Sequence, residues 1–254
     1  MLKYRHPDSS VRIRSFGVTF QNGEAVPPVL RATAEWHQLL YATRGVMTVF
    51  TQDGAWVVPP HRAVWIPAGY LYQLETSGEV AIRSLYLLAC SRPTARRCSV
   101  VNVTPLLREL IVRTNLIGAL DAAIPQQRRL ISVIHDELST LKSVPLQLPI
   151  PQDRRAARFA TLAATERGEK QPVTVLLRQA GISRRTLERI FRAETGMSLG
   201  QWLRRQKLLH ALKLVAAGES VKSIALELGY SNPSAFVAMF RRELGQTPKR
   251  YFET

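Results

Sequence analysis

The spacing of apolar positions changes character once along the chain. As far as about Cys98 they come in short runs rich in Val, Trp and Tyr: Val46 to Phe50, a break at Gln52-Asp53-Gly54, Ala55 to Val58, the pair Pro59-Pro60, Ala63 to Ile66, then Pro67-Ala68-Gly69. Short strands with such regular turn punctuation predict a small antiparallel sandwich or barrel. The period then lengthens. Pro105 to Ile117 and Gln126 to Leu141 read as helices, and the second sets Leu130, Ile134, Leu138 and Leu141 on one face. That stripe is a docking surface, either onto the barrel or onto a second copy of the chain. Val144 to Pro151 contains three prolines, which forbid helix and push their predecessors toward extended backbone, so it reads as an extended connector.

From Asp153 onward the pattern is helical throughout. Thr174, Ser183, Ser198, Ser220, Ser231 and Thr247 are N-cap candidates, and Ser198 to Gln201 has the form of a capping box. Gly168, Gly196, Gly218, Gly229 and Gly245 fall where helices should end, giving about seven short helices. The predicted class is α+β, with a barrel over residues 1–100, linker helices and connector over 101–151, and an all-α domain over 152–254.

Charge sharpens this division. The 254 residues hold 35 Lys plus Arg against 19 Asp plus Glu, a net charge of +16, which favours a polyanionic partner, nucleic acid ahead of an acidic membrane surface. Residues 1–151 carry 16 basic and 10 acidic side chains, net +6; the remaining 103 carry 19 and 9, net +10. Cys90 and Cys98 form neither a ligand pair nor a disulfide framework, which fits a reducing compartment, the cytoplasm. No run of about 18 apolar residues occurs and no apolar region follows the basic start, so the chain is expected neither to span a membrane nor to be exported.

Within this basic C-terminal region a single unit occurs twice. Leu176 to Arg192 and Ile224 to Arg241 each run as a short helix, a Gly turn (Gly181, Gly229), an apolar plug (Ile182, Tyr230), a Ser and a second helix, which is the layout of a helix-turn-helix. The Gly permits positive φ at the sharp turn. On the first reading helix Leu187, Ile190 and Phe191 face inward and leave Arg184, Arg185, Glu188, Arg189 and Arg192 for DNA. Arg can bind guanine bidentately and Glu can accept from cytosine. On the second, Phe236, Met239 and Phe240 form the core and Asn232, Ser234, Ala235, Ala238 and Arg241 remain for the groove and its walls, a weakly charged surface suited to shape and methyl groups. Between the units, Leu199 to Ala216 forms a strut of about 27 Å at ~1.5 Å per residue, able to hold two reading helices on successive major grooves roughly 34 Å apart. Trp202, in apolar company, belongs to its core.

These residues carry a resemblance. Gly181 to Arg192, Ala225 to Phe236, Phe240-Arg241-Arg242 and Gly245 to Tyr251 resemble the AraC/XylS family of bacterial transcription regulators over roughly residues 153 to 252. The resemblance implies a seven-helix DNA-binding domain with two helix-turn-helix motifs, joined to a variable regulatory domain that senses a small molecule and often dimerises. Leu177 departs from the small residue the family favours there, and its bulk is expected to shift the first helix of that unit slightly, which leaves the pose of the first reading helix open. Trp36 to Gly45 and Asp53 to Gly69 look like the cupin barrel at the front of one subgroup. Cupins usually hold a metal through an H-x-H pair and a third His, but the corresponding places here are Ala32, Ala34 and Tyr72, and His37 and His61 do not make up a ligand set. No metal and no cofactor are expected.

In place of a metal, a small organic effector could occupy the barrel, with His37, Tyr41, Trp56, Trp65, Tyr72, Arg83 and Tyr86 as lining candidates; strand alternation should turn about half of them away. The reading is a sequence-specific regulator of double-stranded promoter DNA, not an enzyme, in the bacterial cytoplasm and at the nucleoid when bound. It would be a homodimer through Leu130, Ile134, Leu138 and Leu141, with RNA polymerase as partner if it activates. The alternative is an effector-free regulator whose barrel serves only dimerisation; a cupin metalloenzyme anchored to nucleic acid and a non-specific architectural DNA binder are the remaining readings.

Overall fold

The computed structural model describes residues 10–21, 30–31, 35–89, 97–144, 146–165 and 171–253. Residues 1–52 with 58–145 form one compact unit, and residues 53–57 with 146–254 form a second.

The first unit is an antiparallel sheet covered by two helices. Its strands are β1 (Val11–Phe20), β2 (Leu30–Arg31), β3 (Trp36–Thr51), β5 (Arg62–Ile66), β6 (Leu71–Leu88), β7 (Ser99–Asn102), β8 (Ala119–Asp121) and β9 (Ser143–Val144), with β4 (Gly54–Val58) and β10 (Gln147–Pro149) running largely in the second unit. The order is β8-β1-β6-β3-β5-β7-β9, with β2 on β6. β3 is far longer than the Val46 to Phe50 run that predicted it. The register against β6 shifts on both sides of Arg44, and Gly45 takes φ 71° at the irregularity. A Cβ there would lie 2.2 Å from the Glu79 carbonyl oxygen, so glycine marks a bulge inside one strand and not a break between two.

Alternation along β3 puts Leu39 and Tyr41 on one face, where Trp65, Leu85, Leu87 and Ile13 join them. Helices α1 (Pro105–Ile117) and α2 (Pro125–Ser139) close over this face with Leu107, Leu110, Ile111, Ile131, Ile134 and Leu138. Thr104 caps α1 by accepting from the Leu107 amide at 3.0 Å, and its hydroxyl donates to Glu137 of α2, tying the two helices together. The stripe predicted for dimerisation is therefore used inside the unit. Ile134 is fully buried, Leu138 nearly so, Leu130 and Leu141 pack against the same cluster, and Leu141 lies beyond the helix end. Alternating strands leave one apolar sheet face that must be covered, and the stripe covers it.

The second unit contains seven helices among the described residues: α3 (Arg154–Ala163), α4 (Val173–Ala180), α5 (Arg184–Thr195), α6 (Leu199–Ala216), α7 (Val221–Glu227), α8 (Pro233–Leu244) and α9 (Pro248–Glu253). Ser183, Ser198 and Ser220 cap their helices, and both halves of the Ser198–Gln201 capping box form. Two caps differ from expectation. α4 begins after Pro172, ahead of Thr174, and α8 is capped by Asn232, not Ser231. Gly168 and Pro145 lie outside the described residues. The connector is a paired strand: Gln147, Leu148 and Pro149 lie opposite Trp56, Ala55 and Gly54. Hence the compact units divide near residue 145, earlier than the Pro151 boundary, with α1 and α2 belonging to the sheet unit and not to a separate linker.

Two aromatic stacks fill the helical core. Phe159, Phe191 and Trp202 meet edge to face at 6.1 and 5.3 Å, and Phe236, Phe240 and Tyr251 at 5.9 and 5.7 Å. The fully buried Trp202 donates its indole N–H to the Pro149 carbonyl at 2.8 Å, and the Glu194 carboxylate accepts from the Gln152 and Asp153 amides at 2.6 and 3.2 Å. Both fasten the β10 end of the chain to the helices. Trp202→Phe keeps one aromatic ring but removes the indole N–H and part of the buried ring system, so it orphans the carbonyl, opens a small void and should cost ~2–4 kcal/mol in urea denaturation with an unchanged denaturant slope.

Candidate nucleic-acid interface

The two repeated units fold into equivalent turns. Gly181 caps α4 in the left-handed region at φ 66°, and Gly229 follows α7 at φ 74°. The residue after each glycine returns its amide to the preceding helix, Ile182 to the Leu177 carbonyl at 3.2 Å and Tyr230 to the Ala225 carbonyl at 2.8 Å. Leu177 thus occupies the place of Ala225 with the same hydrogen bond made, and is itself buried. Ile182 plugs the first angle; the Tyr230 ring lies 5.9 Å from Phe236 and plugs the second.

On α5, Leu187, Ile190 and Phe191 are buried, while Arg184, Arg185, Glu188, Arg189 and Arg192 are all exposed. Arg184 and Glu188 pair one turn apart at 2.9 Å, an exposed contact that stabilises little but occupies both groups. Arg185, Arg189 and Arg192 make no ion pair among the described residues. On α8, the Asn232 carbonyl oxygen accepts from the Ala235 amide at 2.8 Å, so that side chain starts the helix instead of facing a groove. An Asn a few residues past a Gly turn is an N-cap signal as strong as Ser, and it could have been recognised in the sequence. Ser234, Ala238 and Arg241 line a shallow cleft of about 710 Å³, and Arg242, which sequence reasoning passed over, completes it. Arg242 lies one turn after Ala238, so the signal was helical spacing.

A family model described as a helix-turn-helix domain matches residues 176–254. The HTH-type transcriptional regulator NimR of Escherichia coli (strain K12) is 33% identical over 219 residues, which span 84% of this chain and 78% of NimR. The chain belongs to the AraC/XylS family. As a member it is a DNA-binding transcription regulator. Regulatory protein SoxS of Salmonella typhimurium (strain LT2) is 35% identical over 80 residues, 31% of this chain and 75% of SoxS. The DNA-binding domain of AdpA, solved in complex with a target DNA, is 35% identical over 40% of this chain and 92% of its own, with a TM-score of 0.36.

In this AraC-family chain the effector candidates are not gathered at one place. Trp56 belongs with the helical unit, opposite Gln147. Tyr41 and Trp65 lie in the cluster beneath α1 and α2; His37 stands beside Trp65 with ring centroids 5.0 Å apart, and Arg83 borders Gly17 together with Asn115 of α1. Tyr72 lies on the other face, donating its hydroxyl to the buried Gln38 amide oxygen at 2.7 Å, and Tyr86 pairs with Gln38 across the strands. Tyr41 and Trp65 therefore build the core beneath the helices, and Gln38, not singled out from sequence, joins Tyr72 on the opposite side. Ala32 and Ala34 lie outside the described residues, and no cluster of three metal-ligating side chains occurs among the described ones.

His37 accepts from the Ala68 amide on Nδ1 at 2.9 Å, which fixes a neutral ring with its proton on Nε2. Burial holds its pKa below the ordinary 6.5; His61 is lowered too, by burial and then by Arg108 and Arg62. The unfolded chain takes up these protons near 6.5 and the folded one only at lower pH, so this contribution to stability is complete above 6.5 and is lost as pH falls from there through the lowered folded values. Urea midpoints recorded from about pH 8 to about pH 5 should fall, and the double variant His37→Gln, His61→Asn should flatten that fall.

Proposed function

We propose that the chain regulates transcription by reading two successive major-groove sites of promoter DNA, with α5 contacting base edges through Arg185 and Arg189, and α8 reading shape and methyl groups through Ser234, Ala235, Ala238 and Arg241. One observation carries this reading: two turns closed by the same amide-to-carbonyl bond each present a helix whose polar side is exposed, one of them with Arg185 and Arg189 making no ion pair among the described residues. Unpaired guanidinium groups at a helix start suit guanine, whereas the Arg184–Glu188 pair must open before either reads a base.

The sheet unit is read as the regulatory half, sensitive to a small organic effector, with the buried Gln38 and Tyr72 and the half-buried Tyr86 as the polar groups on the sheet face opposite α1 and α2. Since the α2 stripe is consumed internally, a homodimer would need another surface, such as the exposed Leu106, Val112 and Leu116 of α1. The chain acts without catalysis, in the cytoplasm, and works with RNA polymerase where it activates. No helix among the described residues is long and apolar enough to cross a membrane.

Binding should be measured at fixed salt to a duplex selected by the chain from a random library. Arg185→Ala should cost ~1–3 kcal/mol and relax preference at one base pair. An equal loss on every sequence would assign Arg185 to phosphate, and random duplex competing as well as the selected one would overturn sequence-specific reading altogether.

A further inference from the structure

Three concavities of the helical unit adjoin one another through shared lining residues. The first, about 490 Å³, is lined by Glu188, Arg189 and Arg192 of α5 and by Ser198, Leu199 and Gly200 at the start of α6. The second, about 860 Å³, takes up Gly200 again with Arg204 and Lys207 of α6 and Ala238 and Arg242 of α8. The cleft along α8 shares Ala238 and Arg242 and continues to Ser234 and Arg241. A trough thus runs from one reading helix to the other past α6, with Gly200 and Ala238 at its joints.

Among the described residues its lining charge is one-sided: Glu188 is the one acid there, and Arg184 holds it. Of the cations at the centre, Lys207 is committed to the fold, donating to the Leu228 carbonyl at 2.9 Å with its amine 5.8 Å from the Tyr230 ring, and Arg242 pairs with Glu243 at 3.2 Å. Arg204 is exposed and makes no ion pair among the described residues. Its Nη1 lies 3.6 Å from where a Cβ on Gly200 would stand, so the guanidinium lies over bare backbone.

We propose that Gly200 and Arg204 form a seat for the sugar-phosphate backbone of the duplex between the two major-groove sites. The proposal rests on the two-groove reading above. A duplex entered at both ends of the trough must carry its intervening phosphates alongside α6. A concave surface with free positive charge and small residues at its joints accepts them, whereas no base edge need be reached there. Arg204 therefore supplies affinity without sequence information, and it sets the register between the two reading helices.

The test uses the full chain, the selected duplex of about 30 base pairs (roughly three helical turns) and random duplex of the same length. Arg204→Ala should weaken both by about tenfold at 0.1 M salt and flatten the salt slope by about one, as expected for a single phosphate contact, and Arg204→Lys should restore most of the slope. Ethylation of phosphates between the two groove contacts should block wild-type binding and have a smaller effect on Arg204→Ala. Gly200→Ala should melt no lower than wild type, since its Cβ meets only ordinary contact and glycine is the poorer helix former, while Gly200→Glu should fold and bind more weakly. Wild-type affinity and salt slope in Arg204→Ala would overturn the proposal and leave the trough to a protein or a small anion. Loss on the selected duplex alone would make Arg204 a base reader. Failure of the wild type to prefer the selected duplex would overturn the two-groove reading, with the effect of Arg204→Ala on random duplex still deciding the phosphate seat.

Discussion

A helix that is apolar around most of its circumference must be covered on every apolar side, and α6 is such a helix. Trp202, Leu208, Leu209 and Leu212 are all buried, and no single layer of helices could cover them. The two helix-turn-helix units and the helices flanking them supply the cover: Phe191, backed by Phe159 of α3, stacks on Trp202, and α7 and α9 pack on α6 as well. The positions of both reading helices follow from this covering. Their polar sides are what remains once Leu187, Ile190 and Phe191, and Phe236, Met239 and Phe240, have been spent on the core.

The features legible in the sequence are those governed by local chemistry. Helix caps at Ser183, Ser198 and Ser220, the glycines at positive φ and the inward sides of α5 and α8 are set by contacts a few residues apart, and spacing shows them directly. Long-range choices were less visible. Gly45 looks like a strand break because its bulge is defined by Glu79, more than thirty positions away in the chain. The α2 stripe has the right period to dock on anything, and only the sheet beneath it determines that it docks there. The three prolines of the connector exclude helix correctly, but Gln147 to Pro149 pair with β4 on one edge, which a Pro at the strand end permits.

The surplus charge acquires structure in the same way. Among the basic side chains of the helical unit, Lys207 supports a turn, Arg184 and Arg242 hold neighbouring acids, and Arg185, Arg189, Arg192, Arg204 and Arg241 stay exposed to solvent. Counting charge points to a polyanionic partner; sorting charges by what already occupies them separates side chains committed to the fold from those left exposed to solvent. Asn232 shows the converse, a polar group on the expected surface whose acceptor is taken by its own helix.

The β4–β10 ribbon bears on how this protein can be taken apart. Because residues 53–57 pack with the helical unit, no single cut in the chain separates the two compact bodies with each one whole. A fragment starting at Leu146 would carry β10 with a bare edge and Leu148 uncovered, while one starting at Asp153 would also strip the Pro149 carbonyl from Trp202 and the Gln152 amide from Glu194. Modularity in this regulator is a property of its function more than of its polypeptide, and swapping its DNA-reading half onto another sensor would have to bring along a five-residue strand from the far side of the sequence.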